Sequence, residues 1–90
     1  MKITLLSKPG FSGNMLVRKI EEVAKSQLMD IEVFLNEHLQ EADVVLLTPQ
    51  RSEDLKEIKK VVKVPVGVIS LRDYGLLDGI IKYAKQLIQK

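Results

Sequence analysis

The sequence has no cysteine, no tryptophan, three prolines and only four aromatic residues, Phe11, Phe34, Tyr74 and Tyr83. Without cysteine there is neither a disulfide framework nor a thiolate metal site. A small domain that does without disulfide staples fits a cytoplasmic protein better than a secreted one. Four aromatics in 90 residues are too few for a platform on which nucleic-acid bases stack. A strong charge of one sign is also missing. Fourteen Lys and Arg against twelve Asp and Glu leave +2, with most lysines beside acids on helical segments, so no nucleic-acid partner is expected. No apolar run approaches the ~18 residues of a spanning helix. Met1–Leu6 is cut off by Ser7, Lys8 and Pro9, too soon for a signal peptide, and no direct membrane insertion is expected. The single histidine, His38, lies in a polar stretch with no second ligand at metal spacing. It reads as a solvated surface residue, and neither a metal nor a cofactor is expected. The hydrophobic share of 46% supports one small core, and residues 1–90 read as a single domain.

What is present is an alternation of two periods. Ile3–Leu6 is a short apolar run closed by a turn signal, which predicts a buried strand. From Ser12 to about Leu28 the apolar residues Leu16, Ile20, Val23 and Ala24 recur at helical spacing, with Glu21 and Lys25 as an i, i+4 pair. Ile31, Val33 and Leu35 alternate as in a second strand, and Val44–Leu47 reads as a strand buried on both faces. Ser52 is a candidate cap for a second helix, with Glu53 and Asp54 in its first turn and Lys59 and Lys60 in its last. Leu55, Ile58, Val61 and Val62 supply its inner face. Val64–Ile69 reads as a fourth strand with Pro65 at its start. Leu77, Ile80, Ile81, Ala84 and Ile88 define a final helix, in which Gly79 suggests a close approach of backbone to a neighbour. Met15 and Met29 read as core filler. Strands alternating with helices predict an α/β fold with an open, four-stranded parallel sheet.

Ligands on such sheets bind beyond the carboxyl ends of the strands. That gathers three segments: Ser7–Asn14, Thr48–Ser52 and Ser70–Tyr74. The first, Ser7-Lys8-Pro9-Gly10-Phe11-Ser12-Gly13-Asn14, joins a strand to a helix. It fits an anion cradle of backbone N–H groups at a helix N-terminus, with Lys8 at the rim. On spacing alone, an ordinary strand-to-helix turn capped by Ser12 or Asn14 is the commoner arrangement. Several established phosphate loops are excluded by residue identity. There is no G-x-x-x-x-G-K-[ST] and no G-x-G-x-x-G. A Cys-x5-Arg loop would need cysteine and arginine where Ser7 and Gly13 stand. A phospho-aspartate receiver would need acids where Ser7, Lys8 and Thr48 stand, and Asp43 lies at the wrong end of its strand.

Three segments together resemble the lactose/cellobiose class of IIB components of the bacterial sugar phosphotransferase system. Ala42-Asp43-Val44-Val45-Leu46-Leu47-Thr48-Pro49-Gln50 is similar to that family's A-D-V-V-L-L-G-P-Q. Tyr74-Gly75-Leu76-Leu77-Asp78-Gly79 is similar to its Y-G-x-x-D-G, and Leu5–Val17 to its first strand, phosphate loop and helix start. The resemblance implies strand order 2-1-3-4, helices on both faces in three layers, and a phosphate loop after the first strand. It also implies a phosphoryl relay: a cysteine ending the first strand takes the group from a histidine of a IIA protein and passes it to sugar at the membrane IIC component. Ser7 holds the cysteine's place. Lys8, Pro9, Gly10, Phe11, Ser12, Gly13 and Asn14 correspond to the phosphate-binding loop. Thr48, Pro49, Gln50, Arg72, Tyr74 and Asp78 correspond to the rim or partner contacts. The implied ligand is phosphate or a phosphoryl group, and the implied location is the cytoplasm, with membrane association through IIC.

Serine changes the chemistry. A thiol titrates near ~8.5 and is easily lowered to thiolate, whereas a hydroxyl needs a general base, and no candidate base is visible beside Ser7. Alkoxide also leaves a phosphoryl group less readily than thiolate does. Lys8-Pro9, Gly13-Asn14 and Thr48 are further departures from the family pattern. Ser7 fits either a cysteine replaced on purpose or a divergent chain that binds partners or phosphate without relaying it, and the neighbouring departures favour the second.

Overall fold

The runs Ile3–Leu6 and Val44–Leu47 become the inner strands of a sheet. The structure, a computed structural model, describes residues 1–8, 13–70, 72 and 77–89, with backbone alone for Leu77 and Asp78. β1 (Lys2–Leu6) lies beside β3 (Val44–Leu47), β2 (Glu32–Leu35) flanks β1, and β4 (Val66–Val68) flanks β3. Every pair is parallel and the order is β2-β1-β3-β4, as the motifs imply. Leu6 stands opposite Leu47, and Leu47 opposite Val68, so three strands end level. β4 is shorter than the run Val64–Ile69, but its bonding reaches past its ends: Pro65 O accepts from Val45 N–H and Ile69 N–H donates to Leu47 O. Pro65 thus contributes the one backbone group it has.

Side chains alternate across a strand. Ile3, Leu5, Val44 and Leu46 face one layer, where α1 (Gly13–Ser26) and α3 (Leu77–Gln89) bury Leu16, Ile20, Ala24, Ile80, Ile81 and Ala84. Leu6, Val45, Leu47 and Val66 face the other, covered by α2 (Leu55–Val61) and by Val62 just beyond it. Helices therefore lie on both faces. The tight approach between α3 and the sheet is at Gly67. A Cβ there would stand 2.7 Å from Leu87 Cδ1 and collide with the Tyr83 hydroxyl.

Four expectations are corrected. Met15 is 56% exposed. It lies off the buried stripe Gly13, Leu16, Ile20 and Ala24, on the side of exposed Arg18, Lys19 and Glu22. Glu21 and Lys25 are exposed and form no ion pair. Ser52 does not cap a helix: a 3-10 segment already begins at Pro49 and runs to Asp54. Proline at the first position presets the helical φ, and Ser52 instead offers its carbonyl to Leu55 N–H as the path continues into α2. Val61 is 59% exposed, because the chain turns extended at Val62 and carries that residue inward instead.

Candidate functional site

Parallel strands that end level bring the segments behind them to one edge. Ser7 follows β1 and is 4% exposed. Its N–H donates to Asn36 Oδ1 at 2.9 Å, and among the described residues its hydroxyl reaches the Lys8 carbonyl alone, at a long 3.5 Å. α1 opens directly against it. A Cβ on Gly13 would lie 3.4 Å from Ser7 Cβ and 2.9 Å from Leu35 Cδ1, so a larger residue would lift the helix start off the strand ends. The first N–H groups of α1 have no partner within the helix. They therefore gather beside Ser7. Asn14, in that first turn, is exposed.

Thr48 follows β3 as Ser7 follows β1. Its N–H donates to Leu6 O, its carbonyl accepts from Arg51 N–H, and the residue is 0% exposed. Among the described residues its hydroxyl has no hydrogen-bond partner, and neither has the buried Oε1 of Gln50. Register and alternation place Thr48 next to Ser7 on the same face. Leu5 and Leu46 belong to the α1–α3 core, Leu6 and Leu47 to the α2 core, so the next pair returns to the α1–α3 side.

Lys8, the expected rim charge, is partly exposed and ion-paired. Its ammonium pairs with Glu53 Oε1 at 3.0 Å, tying the residue after β1 to the 3-10 segment after β3. Arg72 is exposed after β4, and Asp78 is in the first turn of α3. Pro9, Gly10, Phe11, Ser12 and Tyr74 lie outside the described residues. Ser7, Gly13 and Thr48 are thus brought together, with Pro49 and Gln50 following in the chain. No carboxylate or imidazole among the described residues bonds the Ser7 hydroxyl. Asp43 is at the opposite end of the sheet, where Oδ2 accepts from Lys2 N–H at 2.7 Å. Among the described residues no group of three His, Cys, Asp or Glu could hold a metal ion, and no helix is long and apolar enough to cross a membrane.

Sequence reasoning missed Asn36. It adopts φ 56, a left-handed conformation that asparagine tolerates better than most residues, and so turns its carboxamide onto Ser7. An asparagine directly behind an alternating strand was the available signal. His38 shares the conformation, with φ 58. Its exposed ring lies 4.6 Å from that of Phe34, and Nδ1 meets Glu41 Oε2 at 2.9 Å. The Thr4 hydroxyl donates to the carbonyls of Glu37 and His38, fixing the connection from below.

A family model described as "PTS system, Lactose/Cellobiose specific IIB subunit" matches residues 2–89. Among solved structures, the chain is similar to the cellobiose-specific phosphotransferase IIB component of Borrelia burgdorferi, with 29% identity and a TM-score of 0.73 over 99% of this chain and 92% of that one. It shares its fold with the lactose-specific IIB component domain of the phosphoenolpyruvate:carbohydrate phosphotransferase system from Streptococcus pneumoniae, with 16% identity and a TM-score of 0.72 over 99% of this chain and 91% of that one. A comparison with curated proteins found no match.

Proposed function

The chain belongs to the family of lactose/cellobiose-specific IIB subunits of the PTS system, and on that premise we propose that its first loop holds a phosphoryl group between a IIA donor protein and the membrane IIC component. The observation that supports this most is the placement of Ser7. It is buried at the end of an inner strand, with the start of α1 against its Cβ. Backbone N–H groups at a helix start are suited to phosphate oxygens. Lys8, Asn14 and the intervening residues are the loop in this reading, and Thr48, Pro49, Gln50, Arg72, Tyr74 and Asp78 the rim. The protein would work in the cytoplasm and meet the membrane only through IIC.

Transfer to Ser7 would form an O–P bond while the P–N bond to the donor histidine breaks, and the hydroxyl proton must leave. Among the described residues the hydroxyl's one hydrogen-bond partner is a carbonyl oxygen, which cannot take that proton. This favours a second reading, a paralogue that binds the partner without relaying the group. Intact-mass measurement separates the two. The chain and its Ser7→Cys variant are incubated with phosphoenolpyruvate, the general phosphotransferase proteins and a lactose/cellobiose-type IIA. Gain of a phosphoryl group by the cysteine form alone is the expected result, and means that the loop and partner face are those of a working IIB in which Ser7 alone blocks the relay. Failure of both forms while IIA itself is phosphorylated leaves the non-relaying paralogue. Chemical shifts around residues 7–14 that stay fixed during titration with IIA would remove the partner assignment.

A further inference from the structure

Resting on that reading of the loop, we propose that the Thr48 hydroxyl is a hydrogen-bond donor to the phosphate or phosphoryl group held beside Ser7. The corresponding position of the resembled motif is glycine, so this contact belongs to this chain.

Every other polar group of Thr48 is committed. Its N–H bonds Leu6 O and its carbonyl takes Arg51 N–H, which locks the backbone into the sheet end and the following turn. The hydroxyl remains, fully buried and without a partner among the described residues. Buried hydroxyls almost always have one. A valine would fill the same space at the end of β3 without that cost. The register puts Thr48 one strand over from Ser7, on the same face, and neighbouring parallel strands lie about 4.8 Å apart. A phosphoryl group on or beside the Ser7 hydroxyl would have the N-terminus of α1 on one side and Thr48 on the other. The helix start supplies backbone N–H groups and Thr48 supplies an O–H. Solvent does not reach Oγ1 in this structure, so a phosphate oxygen meets it only once the groups covering it shift, and the register that sets Thr48 beside Ser7 makes that oxygen the partner in reach. Gln50 Oε1 is an acceptor and adds nothing to an anion, but its carboxamide turned end for end would present Nε2 as a further donor.

Inorganic phosphate is the probe, titrated into the full chain and into Thr48→Val and Thr48→Ser, with backbone amide shifts of residues 7–14 as the readout. Each form is also melted in phosphate-free buffer. The expected result is that Thr48→Val binds phosphate about tenfold more weakly, Thr48→Ser binds like the parent, and Thr48→Val melts no lower than the parent without phosphate. Unchanged binding by Thr48→Val overturns the proposal and leaves the loop assignment standing. A lower melting temperature for Thr48→Val in phosphate-free buffer also overturns it, because the hydroxyl then serves the protein itself. If the parent chain binds no phosphate, the loop assignment and this contact fall together.

Discussion

The two faces of the sheet are covered unequally. On one, α1 and α3 press two long amphipathic stripes onto Ile3, Leu5, Val44 and Leu46, all without solvent contact. On the other, neither the Pro49–Asp54 segment nor α2 contains a fully buried residue, and the cover comes from half-buried Leu55 and Ile58 with Val62. Ser7 and Thr48 both turn toward the heavily covered face. Lys8, by contrast, is tied to Glu53 on the lightly covered side. The difference separates a buried floor, built from strand ends and the start of α1, from a rim held by the exposed Lys8–Glu53 pair and the partly buried Arg51–Asp54 pair.

Substitutions test this asymmetry most strongly at the core. Leu46→Ala should cost about 3–4 kcal/mol in urea unfolding, and Ile58→Ala nearer 1–2 kcal/mol, since it is only partly buried and leaves a smaller void. Equal losses would break the comparison. Gly67→Ala should cost about 1–3 kcal/mol, because the Tyr83 hydroxyl and Leu87 must give way and α3 is levered off β4. A melting temperature equal to that of the parent would show that the Tyr83 side chain swings aside freely. Asn36→Ala should lose about 1–2 kcal/mol through an unpaired Ser7 N–H and a left-handed alanine, and Asn36→Gly should recover the backbone part alone. Faster hydrogen exchange at the Ser7 amide in both variants is the accompanying sign. Smallest of all, Glu53→Ala should change stability by less than about 1 kcal/mol and by nothing measurable in high salt, the Lys8–Glu53 pair being solvent-screened.

Much of this architecture is legible in residue order. Val44–Leu47 announces a strand buried on both faces because it contains no polar residue, and α1 and α3 announce themselves by spacing. The sheet order came with the motifs, since periodicity alone does not rank parallel strands. What failed has local causes. Ser52 has the composition of a cap, but Pro49 starts the turn first. Met15 is hydrophobic, but one position off the stripe. Val61 lies at a helix end, where the next residue's backbone decides which of two valines goes inside. At the site, Ser7 could be placed at a strand end from the turn signal behind it. Asn36 could not be placed beside it, because their contact depends on a left-handed φ and on the pairing of β1 with β2. The idle hydroxyl of Thr48 is a three-dimensional fact as well: threonine in a strand satisfies its oxygen in most settings, as Thr4 does through the carbonyls of Glu37 and His38.

The sheet order also sets a sequence of events in time. Among the described residues β2 and β4 each have one unpaired edge, while β1 and β3 are bonded on both sides. In deuterated water the amides of the outer strands should exchange first by fraying, and those of Val44–Leu47 should wait for global opening. Ser7 and Thr48 are the residues immediately beyond the two slow strands. Whatever binds there would meet a surface that keeps its shape on the timescale of an encounter and is among the last parts of the molecule to come apart.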